Sequence, residues 1–270
     1  MKTALTIGGS DSSGGAGIQA DLKTFHAHGV FGMSAVTAVT VQNTQKVYAV
    51  QELKPKIVAD QILCLFDDVR IHAVKIGMVS SSALIKSIAG ALKKVNLPSV
   101  ILDPVMISTS GYNLLEPDAR DALITGLFPL SEVVTPNIHE AEALIGKRIN
   151  TLDEMKKAAR DILKLGAKKA VVTGGHLEGD YAVDILYDGV EYKELKCRRI
   201  KTLNTHGTGC TFSSAIAANI ARGKGFFEAV TNAKVYTTGA IEHSLSIGKG
   251  SGPTHHFFDL YARAGLSYDE

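Results

Sequence analysis

The chain has 270 residues, 45% hydrophobic and 21% charged, the balance of a globular protein with a sizeable core and not of a disordered chain. Lys and Arg number 29 against 27 Asp and Glu, a net charge of +2, and no basic block occurs, which argues against nucleic-acid or anionic-membrane binding. Cys64, Cys197 and Cys210 are odd in number, far apart and without a C-x-x-C. They support neither a disulfide framework nor a zinc ribbon, and they point to a reducing, cytoplasmic setting.

The first apolar run breaks at Gly8-Gly9, too soon for a signal peptide or a membrane span. From there, strands and helices alternate. Residues 4–7 read as a strand and 18–28 as a helix. Strands at 33–41, 73–76, 100–102, 133–134 and 170–172 follow, several of them unbroken runs of Val and Ile suited to burial on both faces. Helices at 55–69, 81–95, 117–127 and 152–165 carry apolar residues at three- and four-residue spacing. After Gly175 a hairpin is predicted, 181–187 and 190–196 joined by Asp188-Gly189, then helices at 208–221 and 226–244. This alternation predicts an α/β protein with a mainly parallel central sheet and helices on both faces. No repeat, low-complexity tract or linker interrupts it, so a single domain over 1–270 is expected.

Ligands of open parallel sheets bind at the carboxyl ends of the strands. The residues there are Gly8-Gly9-Ser10-Asp11, Gln42-Asn43-Thr44, Gly77-Met78, Asp103-Pro104-Val105-Met106, Thr135-Pro136-Asn137 and Thr173-Gly174-Gly175. The first loop contains Gly15-Ala16-Gly17-Ile18-Gln19-Ala20, a match to the dinucleotide fingerprint. The second strand lacks the acid that would hold a ribose, so a close-fitting floor for a small substrate, with Asp21 as acceptor, is the alternative. No Walker A motif occurs. Asn204-Thr205-His206-Gly207-Thr208-Gly209-Cys210 opens a long apolar helix, whose free N–H groups and positive dipole end suit a phosphate; a plain Gly/Thr cap is the competing reading. Cys210 lies in that first turn, where a thiol pKa is expected to fall. Asn137 and Glu140, three apart at a helix start, share one face and suit the surroundings of Mg²⁺, with Asp103 as a further carboxylate. Read structurally, Asn137 is an N-cap and Glu140 a first-turn acid. His255-His256 reads as part of a packed tail.

Together these segments resemble the ribokinase superfamily in its vitamin-kinase branch, most of all the hydroxymethylpyrimidine kinases. The resemblance is carried by residues 8–25, Val41-Gln42-Asn43-Thr44, Lys75-Ile76-Gly77-Met78, Asp103-Pro104-Val105-Met106 and Thr135-Pro136-Asn137 with Glu140-Ala141. Gly174-Gly175-His176, His206-Gly207-Thr208-Gly209-Cys210 and residues 248–256 complete it. It implies a three-layer α/β/α ribokinase-like fold and an ATP- and Mg²⁺-dependent kinase. Such kinases act on 4-amino-5-hydroxymethyl-2-methylpyrimidine and then on its monophosphate, in thiamine biosynthesis. It also implies a homodimer with a small-molecule substrate.

By position in the motifs, Gly9, Asp21, Gln42, Met78 and Val105 would line the pyrimidine pocket, and Asp103, Asn137 and Glu140 would face Mg²⁺ and the ATP phosphates. Gly207, Thr208, Gly209 and Cys210 would form the anion hole, with Cys210 assisting deprotonation of the hydroxymethyl group. Thr173, before Gly174-Gly175, stands where relatives often carry a nucleotide-contacting Lys. Residues 107–113 would act as a lid; they lack the second cysteine of related pyridoxal kinases. A pyridoxal or pyridoxine kinase, or a non-catalytic binding protein of the same fold, are the alternative readings.

Overall fold

The computed structural model describes residues 1–108 and 111–267. The strands are β1 (Lys2–Ser10), β2 (Val30–Gln42), β3 (Val47–Glu52), β4 (Ala73–Ile76), β5 (Ser99–Leu102), β6 (Val133–Val134), β7 (Lys169–Val172), β8 (Tyr181–Tyr187) and β9 (Tyr192–Arg198). They form one sheet in the order β3-β2-β1-β4-β5-β6-β7-β8-β9. The six from β2 to β7 run parallel, while β3 at one edge and β8 and β9 at the other are antiparallel.

Strand side chains alternate between two apolar layers, as the two-residue period requires. Leu5, Ile7, Val74, Ile76, Val100, Leu102, Val134 and Val172 face one layer. Its helices are α2 (Pro55–Asp68), α3 (Ser82–Leu92), α4 (Ala119–Gly126), α5 (Ile138–Ile145) and α6 (Leu152–Leu163). Ala4, Ala73, Ile101, Val133 and Val171 face the other, against α1 (Gly17–Ala27), α7 (Thr208–Ala221) and α8 (Phe226–Glu242). The result is the expected three-layer α/β/α arrangement. A short helix, α9 (Phe258–Ala264), follows at the carboxyl end with no buried residue.

The structure departs from the expectations at several elements. β2 is longer than 33–41, and β3, unforeseen, folds back on it. The hairpin turn spans 188–191, because the Asp188 carboxylate accepts from the N–H groups of both Val190 and Glu191 and Tyr187 pairs with Tyr192. α4 starts at Ala119, not 117, and is followed by a tight turn of 3₁₀ helix over Phe128–Leu130. Ser81 stands outside α3 as its N-cap, its hydroxyl accepting from Leu84 N–H at 3.2 Å.

Candidate active site

Two glycine-rich loops meet at the carboxyl end of the sheet. The first runs from β1 into α1. A Cβ on Gly17, at φ +57°, would lie 2.3 Å from the Gly9 carbonyl oxygen, so only glycine closes this turn. The second precedes α7, with Gly207 at φ +81°; a Cβ there would lie 1.8 Å from the Gly15 carbonyl oxygen. The loops therefore touch backbone to backbone. At the start of α7 the first-turn N–H groups have no intrahelical partner, and no side chain caps the helix. Gly209 is exposed, and Thr208 and Cys210 are half-buried.

Beside the first loop, Gly9 and Met78 abut: a Cβ on Gly9 would come within 2.7 Å of the Met78 sulfur. Thr37 Oγ1 donates to the Met78 carbonyl at 2.8 Å and fixes that segment. Gln42 is held at its backbone by Ser12, whose Oγ both accepts from Gln42 N–H and stands 2.9 Å from the Gln42 carbonyl. Val105 and Met106 are half-buried beyond β5.

Asp21 does not take the place expected of it. It is 0% exposed and lies under the floor between α1, β1, β4 and α7. Thr6 Oγ1 and Ser214 Oγ donate to its two oxygens at 2.6 and 2.7 Å, and Lys75 Nζ stands 2.9 Å from Oδ1 and 3.0 Å from Oδ2. Every acceptor is taken, so its role here is to neutralise Lys75, whose ammonium is held charged well above its ordinary pKa. Burial opposes that charge, and the carboxylates of Asp21 and Asp103 outweigh the burial.

Asp103 is buried, with Oδ2 accepting from Ser213 Oγ at 3.0 Å and facing the place a Cβ on Gly209 would fill. Burial raises its pKa, and Lys75 and Ser213 pull the other way. Glu140 is buried at the start of α5. It completes a capping box: its carboxylate accepts from Asn137 N–H at 2.9 Å, and Asn137 Oδ1 accepts from Glu140 N–H at 3.0 Å. The structural roles read for both residues are thus present. Burial first, and the nearby Asp103 charge second, push Glu140 up to about 8. Two buried carboxylates that repel one another are the donor chemistry of a hard divalent cation. No group of three or more His, Cys, Asp or Glu able to hold a metal occurs among the described residues, so such an ion would draw its other ligands from nucleotide and water.

Cys210 differs from expectation. Burial, joined by the charges of Asp21 and Asp103, pushes its thiol up to about 12; Lys75 and a hydrogen bond from Gly17 N–H oppose this and lose. The helix terminus does not make it a thiolate.

Asn137 and Thr173 sit side by side across β6 and β7, and Thr173 N–H donates to the Pro136 carbonyl at 3.0 Å. Gly175 is exposed, with open space where a Cβ would stand. Arg199, which the sequence reading passed over, shapes this loop: its guanidinium donates to the carbonyls of Gly175 (2.6 Å), Gly179 (3.0 Å) and Leu177. Lys75 and the pair Asp11–His206 were also left without a role. A lone Lys inside the buried run Ala73–Ile76 was the available signal for the first. Of the expected lid, Ile107 and Asn113 form a bridge that closes its base, while Thr109 and Ser110 lie outside the described residues. The His255-His256 segment is buried, as a packed tail should be. A groove of about 990 Å³, lined by Asp67, Arg70, His72 and Lys94, lies at the opposite, amino end of β4 and β5, away from all of these groups.

A family described as phosphomethylpyrimidine kinase matches residues 11–255. The hydroxymethylpyrimidine/phosphomethylpyrimidine kinase of Rhizobium meliloti is 50% identical over 257 residues, covering 94% of this chain and 96% of that protein. Among solved structures, an ADP complex of Bacillus subtilis pyridoxal kinase superposes with a TM-score of 0.89 at 41% identity, covering 95% of this chain and 98% of the other. The Clostridium difficile phosphomethylpyrimidine kinase gives 0.80 at 49%, covering 89% of this chain and 100% of the other. This chain belongs to the phosphomethylpyrimidine kinase family.

Proposed function

We propose that this chain, acting as one domain over 1–270, transfers the γ-phosphoryl group of ATP to the hydroxymethyl oxygen of 4-amino-5-hydroxymethyl-2-methylpyrimidine and then to the resulting monophosphate. The observation that carries the reading is the meeting of the α7 N-terminus with the loop after β1, beside two buried carboxylates. Phosphoryl transfer needs in-line positioning and charge neutralisation more than covalent help. The backbone N–H groups of Gly207–Cys210 would receive the phosphoryl oxygens. Gly9, Gln42, Met78 and Val105 would hold the pyrimidine, the Gln42 amide offering both a donor and an acceptor to its edge. Asn137, Thr173 and Gly175 would border the nucleotide. Asp103 and Glu140 would hold Mg²⁺, which when bound neutralises charge on the phosphates. Cys210, protonated, would act as a wall and weak donor of the anion hole and not as a base. A homodimer working in the cytoplasm belongs to the same reading.

The test is ADP release with Mg²⁺-ATP and hydroxymethylpyrimidine, its monophosphate, pyridoxal or no acceptor. Turnover of both pyrimidines well above pyridoxal is expected. Preference for pyridoxal, which the likeness to the Bacillus subtilis pyridoxal kinase makes the comparison of interest, would overturn the substrate while leaving the phosphate chemistry.

A further inference from the structure

Asp11 and His206 lie 195 positions apart and are 3% and 7% exposed, yet the imidazole Nε2 stands 2.8 Å from Asp11 Oδ2. The Asp11 carboxylate is also the knot of the first glycine loop. Oδ1 accepts from Ser13 N–H and Ser13 Oγ at 2.8 and 2.7 Å, and Oδ2 from Gly15 and Ala16 N–H at 3.1 and 2.8 Å. His206 is fixed by its backbone to the tail, donating to Gly252 and accepting from Thr254. An ionised carboxylate only accepts, so Nε2 carries the proton of this contact. Burial opposes the Asp11 charge, but His206, Ser13 and Ala16 together hold its pKa at about 2.

The pair sits where the two loops interlock. A Cβ on Gly15 would strike His206 Cδ2 at 2.4 Å, and one on Gly207 would strike the Gly15 carbonyl. The Gln42 amide nitrogen stands 3.4 Å from His206 Nε2. Neither side chain belongs to an apolar cluster. A buried polar pair is weak evidence of stability for its own sake. Placed between an acceptor-side loop and a phosphate-side loop, it fixes their spacing.

We propose that Asp11 and His206 are positioning residues for phosphoryl transfer, locking residues 14–17 against the N-terminus of α7 so that acceptor oxygen and phosphorus keep one separation. This rests on the kinase reading, and displacement of reacting groups by an ångström can slow transfer about 100-fold.

The experiment compares wild type with His206→Ala, His206→Gln and Asp11→Asn, using whichever acceptor the wild type phosphorylates, so that an error in the substrate is a separate result. His206→Ala is expected to lower kcat strongly with the KM for ATP little changed. His206→Gln, whose amide nitrogen can still donate to Asp11, should recover most of it. Hydrogen exchange, read without turnover, should show residues 14–17 and 207–210 opening together in His206→Ala and Asp11→Asn but not in His206→Gln. A His206→Ala protein with wild-type kcat, or with unchanged exchange in both loops, overturns the proposal. So does a His206→Gln protein that loses kcat and melting temperature as fully as His206→Ala, since the pair would then be packing alone.

Discussion

At the scale of single residues, the site is a problem of buried charge. Glu140 keeps its proton to about pH 8 in the fold, against 4.5 for an ordinary glutamate. Between those values the folded state binds a proton that the unfolded chain has released, so this group's contribution to stability falls as pH rises through the window. Glu140→Gln keeps an acceptor for Asn137 N–H and removes the repulsion with Asp103. Its melting temperature should exceed that of the wild type near the top of the window and match it near the bottom, while turnover with Mg²⁺-ATP drops. For the wild type, Mg²⁺ with a non-hydrolysable ATP analogue should raise the melting temperature more at the top of the window than at the bottom. Melting curves across pH with and without the analogue test both statements; equal pH slopes in the two proteins would contradict the charge argument. Cys210 shows the same physics: its place in the first turn of α7 was legible, but the two carboxylates that outweigh the helix terminus are distant in sequence.

At the scale of elements, Arg199 at the end of β9 is a strut under the loop that follows β7. Its guanidinium holds carbonyls 20 to 24 residues earlier, and Gly174, above it, is pinned by the Asp184 carboxylate at 3.0 Å. Arg199→Ala leaves those carbonyls without donors and lets the loop beside Thr173 move. The expected result is a raised KM for ATP with kcat nearly kept, and Arg199→Lys, a point charge without the fork, should repair only part of it. Steady-state kinetics at varied ATP decides; a fall confined to kcat would place Arg199 elsewhere in the reaction. Strands 100–102 and 170–172 were readable because both of their faces are buried, giving unbroken apolar runs, and 73–76 because three of its four buried residues are apolar around Lys75. β3 was not, since only Val47 of its six residues is buried, and α9 has no buried face at all. The active-site loops could be found from strand ends and glycine spacing. Arg199 could not, because its meaning lies in a contact between two strand ends that no local pattern records.

At the scale of the molecule, one buried ion pair joins the helical layer of α1 and α7 to the sheet. Thr6 and Lys75 are register partners on β1 and β4, and both reach Asp21, while Ser214 of α7 completes its shell. The period of the strands put Lys75 on the face of α1 and α7; which acid met it depended on how those helices pack. Removing one member leaves the other charged and dry. Lys75→Met conserves much of the side chain's volume and should cost about 3–5 kcal/mol in urea unfolding. Asp21→Asn introduced into that variant removes the stranded charge, keeps an amide oxygen for Thr6 or Ser214, and should restore part of the loss. The double-mutant cycle should therefore be strongly non-additive. Losses that simply add would mean the two charges are screened from one another, which is incompatible with a 2.9 Å contact between side chains that are 1% and 0% exposed. The same cycle read in kcat separates support from chemistry. The Lys75 charge opposes the burial that raises the pKa of Cys210 and of Asp103, so the double variant should regain stability without regaining full turnover.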